Sequence, residues 1–236
     1  MNALVINGTG SIGSVIVEQL KSTGCEVIFT SNHHESDSDS GCINWKYDGA
    51  QSVEDLFGVV KNNYDSLDSV VNCLGSIYLK PAHLTDEKDF DKTLDINLRS
   101  SFFILKQSIP LMRKKGGNIL FFSSGAAQIG LVNHEAIAAA KSGLEGLVRS
   151  AAATYSKYGI RINALALGLV ESNLSSNIMS NPISLEMSKK MHALGEVGTP
   201  EAVSKFAIPL INDNSSWVTG SVINIDGGLS TTKIAS

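Results

Sequence analysis

Cysteine is scarce and unpatterned in this chain. Cys25, Cys42 and Cys73 are odd in number and lack CxxC spacing, which argues against a disulfide framework or a structural zinc site and fits a reducing cytoplasm. Basic charge is not in excess either. With 19 Lys and Arg against 23 Asp and Glu, the formal net charge of −4 supplies no positive field for phosphate backbones, so no nucleic-acid partner is expected. Long apolar runs are missing as well. The longest uncharged stretch, residues 116–134, is interrupted by Asn118, Ser123, Ser124, Gln128, Asn133 and several glycines, so no membrane association is expected. A strand-like run over residues 3–7 stands in place of a charged region followed by an apolar one, so no targeting peptide is expected. No metal site is expected.

What the chain does have is apolar residues, 43% over 236 positions, enough for one self-sufficient domain spanning 1–236. Dense short runs recur at Leu4 to Ile6, Val27 to Phe29, Val70 to Asn72, Ile119 to Phe122, Ile162 to Leu165 and Val222 to Ile225, with a weaker one at Cys42 to Asn44. They do not alternate, as expected of strands covered on both faces. Between them Ile12, Val15, Ile16 and Leu20 form a helical stripe, and Phe90, Leu94, Leu98, Phe102, Leu105 and Ile109 a second. Strand–helix alternation implies a doubly wound parallel sheet of the α/β class. Residues 169–198 break the rhythm and are expected to form a substrate lid, followed by Thr199 as a helix N-cap with Pro200 at N1.

Gly8, Gly10 and Gly13 follow the first strand and open the first helix. In that context glycines let a pyrophosphate approach backbone N–H groups, so Gly8 to Gly13, with Ser11 and Ile12, are candidates for nucleotide binding. After the second strand the chain reads Ser31, Asn32, His33, His34 with no carboxylate. A 2′-phosphate would meet no charge repulsion there and could be met by Ser31 or Asn32, which favours NADP(H) over NAD(H).

From these segments onward the sequence resembles the short-chain dehydrogenase/reductase family over nearly its whole length. Asp48 matches the family's adenine-contacting Asp. Asn72 to Gly75 stands where the family has Asn-Asn-Ala-Gly. Asn97, Ser124 and Lys141 match the asparagine, serine and lysine of its catalytic tetrad. Residues 161–168 resemble the sixth-strand motif with Leu167 in place of Pro, and Ile225 to Gly228 the end of the last strand. The resemblance implies a Rossmann-type seven-stranded sheet and an NAD(P)(H)-dependent oxidoreductase. It adds Asp48, Asn72, Gly75 and Lys141 to the cofactor site, with Gly168, Val170 and Ser172 beyond the sixth strand. It also implies a homotetramer or homodimer, packed through the small-residue helix over residues 135–157.

Two departures stand out. The family's catalytic tyrosine precedes the lysine by four residues, and here that position is Ile137, which carries no proton. His134, seven residues before Lys141, is the replacement donor considered, with Tyr78 as a second. The glycine turn reads one residue shorter than the common family form, with Ser11 near an expected glycine. The expected activity is hydride transfer with a small carbonyl, enone or acyl-type substrate and non-standard proton donation; the alternative is a cofactor-binding scaffold subunit that has lost catalysis. The substrate pocket is expected between Gly75 to Tyr78, Ser124 to Gln128 and the apolar lid residues Leu174, Ile178, Met179, Met187 and Met191.

Overall fold

The computed structural model describes residues 1–212 and 215–233. Seven strands form one sheet, all pairs parallel. They are β1 (Asn2–Ile6), β2 (Glu26–Ser31), β3 (Cys42–Asn44), β4 (Ser69–Asn72), β5 (Gly117–Ser124), β6 (Ile160–Leu167) and β7 (Val222–Ile225). Their order is β3-β2-β1-β4-β5-β6-β7. The connection therefore reverses direction between β1 and β4, and it is beyond the carboxyl ends of strands at such a reversal that α/β proteins place ligands.

The dense strands are covered on both faces, as their composition predicts. Leu4, Ile6, Ile28, Val70, Ile119 and Phe121 face one way, onto α2 (Gly49–Asn63), α4 (Ser100–Met112) and α5 (Glu135–Tyr155). Their immediate neighbours Ala3, Val5, Val27, Val71, Leu120 and Phe122 face the other way, onto α1 (Ser11–Ser22) and α8 (Pro200–Ile211). Thr199 does cap α8, its hydroxyl accepting from the Ala202 N–H.

The second helical stripe is corrected. Instead of one helix, α3 (Glu87–Leu94) passes through a π turn at Asp95–Arg99 into α4. Five residues in that turn rotate the register, so Leu105 and Ile109 are buried while Phe90 and Phe102 face outward. Asn97 sits inside the turn and is buried. A single widened turn of this kind commonly marks a functional position.

The glycine turn draws on the residue before it. It begins at Asn7, which leaves the strand with φ +57°, a left-handed conformation that asparagine tolerates better than most residues. Asn7 accepts from the Gly10 N–H at 3.1 Å, and its side-chain amide donates to the Cys73 carbonyl at 3.3 Å, joining the ends of β1 and β4. A Cβ on Gly13 would lie 2.3 Å from the Asn7 carbonyl oxygen. Asn7 is thus the one residue of the turn, over residues 7–13, in the left-handed region.

Residues 169–198 form a loop with a pinned neck. Val170 bridges Gly198, the Gly198 N–H donates to the Leu169 carbonyl at 2.8 Å and the Glu171 N–H to that of Gly198 at 2.9 Å. Within it lie a short 3-10 turn, α6 (Ser176–Met179) and α7 (Pro182–Met191).

Candidate active site

A cleft of about 350 Å3 opens at the sheet reversal, within the size range of small-molecule sites. One wall is the glycine turn, where Gly10, Ser11, Ile12 and Gly13 line the opening. Helix α1 starts there with neither a side-chain cap nor an acidic residue in its first turn. Its first N–H groups and the positive end of its dipole are therefore available to an anion. Gly8 lies outside the lining: it packs on β2, where a Cβ would come within 2.5 Å of Phe29 Cβ.

Of the residues after β2, Asn32 and His33 line the cleft. Ser31 does not. It is fully buried, and its Oγ accepts from the Thr9 hydroxyl and from the His33 and His34 N–H groups, so it shapes the turn that presents its neighbours. Asp48 is exposed at the N-terminus of α2, outside the lining. Asn72 is buried behind the cleft, its amide donating to Ser101 Oγ and its Oδ1 accepting from the Leu74 N–H.

The floor is built from four elements. Gly75, Ser76, Asn97, Ser124, Ile137 and Lys141 all line it. Asn97 donates to Ser76 Oγ at 2.9 Å and to the Thr93 carbonyl at 3.0 Å, and its Oδ1 accepts from the Ser76 N–H at 3.1 Å. Ser124 Oγ accepts from the Ala126 N–H, which leaves its own proton to donate into the cleft. Lys141 is buried and donates to the Phe122 carbonyl at 2.7 Å. Burial alone lowers its pKa from 10.5 to about 8, because the charged form is poorly solvated there. Burial pushes the Cys73 thiol up to about 12.

Ile137 lies one helical turn before Lys141 and is 5% exposed, so an aliphatic side chain faces the cleft where an acid is expected. His134 does not take its place. It forms the N-cap position of α5, its Nδ1 pairs with the Val132 carbonyl at 2.7 Å, and it lies outside the lining, because α5 starts only at Glu135 and leaves it on the preceding loop. Tyr78 also lies outside, its hydroxyl donating to Asp89.

Beyond β6, Gly168, Val170 and Ser172 line the cleft. The expected apolar lid is only partly there. Leu174 reaches the lining, but Ile178, Met179, Met187 and Met191 do not, and Met187 and Met191 are exposed. On the other side Gly75, Ser76 and Ile77 line the cleft, whereas residues 125–128 do not.

Sequence reasoning missed His192. It is 2% exposed, accepts from the Leu169 N–H on Nε2 at 3.1 Å and pairs through Nδ1 with the Ser188 carbonyl at 2.7 Å. The tautomer that satisfies both carries its proton on Nδ1. It braces the lid from beneath, and no local motif marks it. Glu145 was missed for the same reason: buried one turn after Lys141, it accepts from Ser123 Oγ and Gln128 Nε2.

Among the described residues, no helix is long and apolar enough to cross a membrane, and no cluster of three or more His, Cys, Asp or Glu is placed to hold a metal ion.

Residues 7–230 match the family model described as enoyl-(acyl carrier protein) reductase. A tropinone reductase homolog of Arabidopsis thaliana, described as chloroplastic, is 31% identical over 244 residues, covering 98% of this chain and 76% of the relative. Among solved structures, ligand-free aldohexose dehydrogenase of Thermoplasma acidophilum superposes with a TM-score of 0.89 at 23% identity, covering 100% of this chain and 96% of that one. ElxO with NADP bound gives 0.89 at 25% identity, covering 98% and 99%.

Proposed function

The chain belongs to the short-chain dehydrogenase/reductase family of oxidoreductases, and from that premise we propose that it uses NADPH to reduce a small carbonyl, enone or acyl thioester without a tyrosine acid. The observation that carries this reading is the cleft itself. It combines an uncapped helix N-terminus with a buried lysine, and no carboxylate lines it. Such a lining suits a ligand carrying several phosphate charges.

The N–H groups at the start of α1 would hold the pyrophosphate. Lys141, with one N–H engaged by Phe122, has others to offer the nicotinamide ribose. Asn32 and His33, with no acidic neighbour in the lining, favour NADPH over NADH; NADP in the structurally similar ElxO supports the same preference. When bound, the cofactor supplies hydride. Ser124 then donates a hydrogen bond to the oxygen on which negative charge develops. Leu174, Ile77 and Ile137 make the substrate end apolar.

Calorimetric titration with NADPH and with NADH tests the reading. Tighter binding of NADPH is expected, and binding of neither cofactor overturns it.

Ile137 favours a second reading, a cofactor-binding scaffold subunit without catalysis. Turnover of a carbonyl or enoyl substrate by the protein alone, at an ordinary enzymatic rate, would exclude it. A homotetramer or homodimer packed through the small-residue face of α5 is proposed with either reading, and sedimentation analysis as a monomer would remove it.

A further inference from the structure

Three ionisable side chains line the cleft among the described residues: His33, Cys73 and Lys141. His33 follows β2, on the side of the glycine turn away from Ser124 and Asn97. Cys73 holds its proton too tightly to give it up, with burial raising the thiol to about 12. Lys141 stands at the floor. Its Nζ is 2.7 Å from the Phe122 carbonyl, and a Cβ added to Gly75 would lie 3.8 Å from that nitrogen and 3.4 Å from Asn97 Oδ1. The ammonium therefore sits where β4, β5 and the π turn converge. One turn earlier, Ile137 presents a short branched side chain that carries no proton.

We propose that Lys141 is the proton source of the reduction, in addition to holding the cofactor. The inference rests on the oxidoreductase reading above and names the acid which that reading leaves open. As hydride adds to the carbonyl carbon, the electron pair of the C=O π bond moves onto oxygen. An N–H bond of Lys141 then breaks and an O–H bond forms, directly or through one water molecule in the volume that Ile137 leaves open. The substrate is reduced to an alcohol at the expense of the reduced nicotinamide, and the neutral amine recovers its proton from water.

The electrostatics agree with the geometry. Among the described residues no ion pair holds Lys141. The titratable groups beside it include Cys73 after β4 and Glu145 on α5, the latter engaged by Ser123 and Gln128, while Glu135 and Arg149 of α5 and the charged groups of α3 lie outside the cleft lining. Asp95, in the π turn, is held by Tyr47 and Arg99. Desolvation is the sole cause of the shift to about 8. The ammonium is thus present at neutral pH yet gives up its proton more readily than an ordinary lysine, the condition for an efficient general acid.

The test uses the wild-type protein with Lys141→Arg and Lys141→Met. Lysine 13Cε NMR signals are followed against pH without cofactor, the Lys141 signal being identified by its absence in the Met variant. A midpoint near 8 is expected; a midpoint that stays at the ordinary 10.5 overturns the proposal. NADPH affinity is measured separately by fluorescence, and reduction of 2,3-butanedione is followed as a function of pH. Arginine keeps the charge but does not release a proton. At saturating NADPH, Lys141→Arg should therefore lose roughly 100-fold in kcat together with the alkaline limb. A kcat within about threefold of wild type overturns the proposal, as does bound NADPH with no reduction of the diketone. Loss of NADPH and NADH binding by the wild type instead marks failure of the oxidoreductase reading, and the NMR midpoint is read independently of it.

Discussion

Ser11 Oγ accepts a hydrogen bond from the backbone N–H of Asn173 at 3.1 Å, tying the glycine turn to the base of the lid across 162 positions. Both residues line the cleft, so the contact ties lid to turn beside the start of α1. Since it is exposed and single, it contributes at most about 1 kcal/mol. Ser11→Ala should leave the melting temperature nearly unchanged while the Asn173 amide exchanges faster with solvent. Unaltered protection of that amide would show that the contact does not restrain the lid.

Ile137→Tyr is expected to raise carbonyl reduction. The side chain at this position already lines the cleft one turn from Lys141, so a phenol there would extend toward the substrate oxygen. A positioned general acid is typically worth ~10²-fold or more. The comparison is kcat on the same diketone for wild type and variant. A folded variant with bound NADPH and no gain would show that the rest of the floor is not arranged for carbonyl reduction.

His192→Ala should destabilise the lid. The imidazole fills the space under Gly168, where a Cβ would lie 2.6 Å from Nε2, and it satisfies one donor and one acceptor that are otherwise buried. Losing both bonds and leaving a cavity costs roughly 2–4 kcal/mol. Urea unfolding measures this, and a loss below about 1 kcal/mol would mean that the lid does not depend on the brace.

Lys141 makes stability depend on alkaline pH. Its pKa falls from 10.5 in the unfolded chain to about 8 in the fold, so between these values the unfolded state holds a proton that the folded state lacks. Stability therefore rises as pH increases across this window, and the buried charge lowers it by up to roughly 3 kcal/mol below pH 8. Burial also raises the Cys73 thiol from 9.0 to about 12, and burial with Asp95 raises the Tyr47 hydroxyl, effects of opposite sign that enter above the ordinary values of about 9 and 10. Chemical denaturation between about pH 7.5 and 9, below the onset of the thiol effect, should show a positive slope in wild type that Lys141→Met removes. Equal slopes in both proteins would refute this.

The fold was legible because each strand is apolar on both faces. Val70 and Val71 are neighbours in sequence yet serve opposite cores, and only a sheet sandwiched by helices buries both. Much of the cleft was legible for a related reason. Gly10 and Gly13 open the first helix, where local chemistry suffices to place them, while Gly75, Asn97, Ser124 and Lys141 were legible through their match to the family's motifs in chain order. The stripe from Phe90 to Ile109 misled, since periodicity assumes a constant helical register and the π turn changes it.

The sequence by itself determined the parallel sheet, a helix at every crossover but the one from β2 to β3, the uncapped start of α1 and the absence of a phenol at position 137. These follow from apolar patterning, from glycine spacing and from the identity of one side chain. Tertiary structure alone decided that Asn7 opens the glycine turn, that Ser31 and Asn72 support the cleft from behind, and that His134 stays outside it. It alone placed Ser11 against Asn173 and His192 beneath Leu169. Each of these depends on a side chain meeting a group far away in the chain, or on a backbone angle set by such a meeting. Local propensity carries no information about those contacts, because their partners are chosen by how the sheet and lid close on one another.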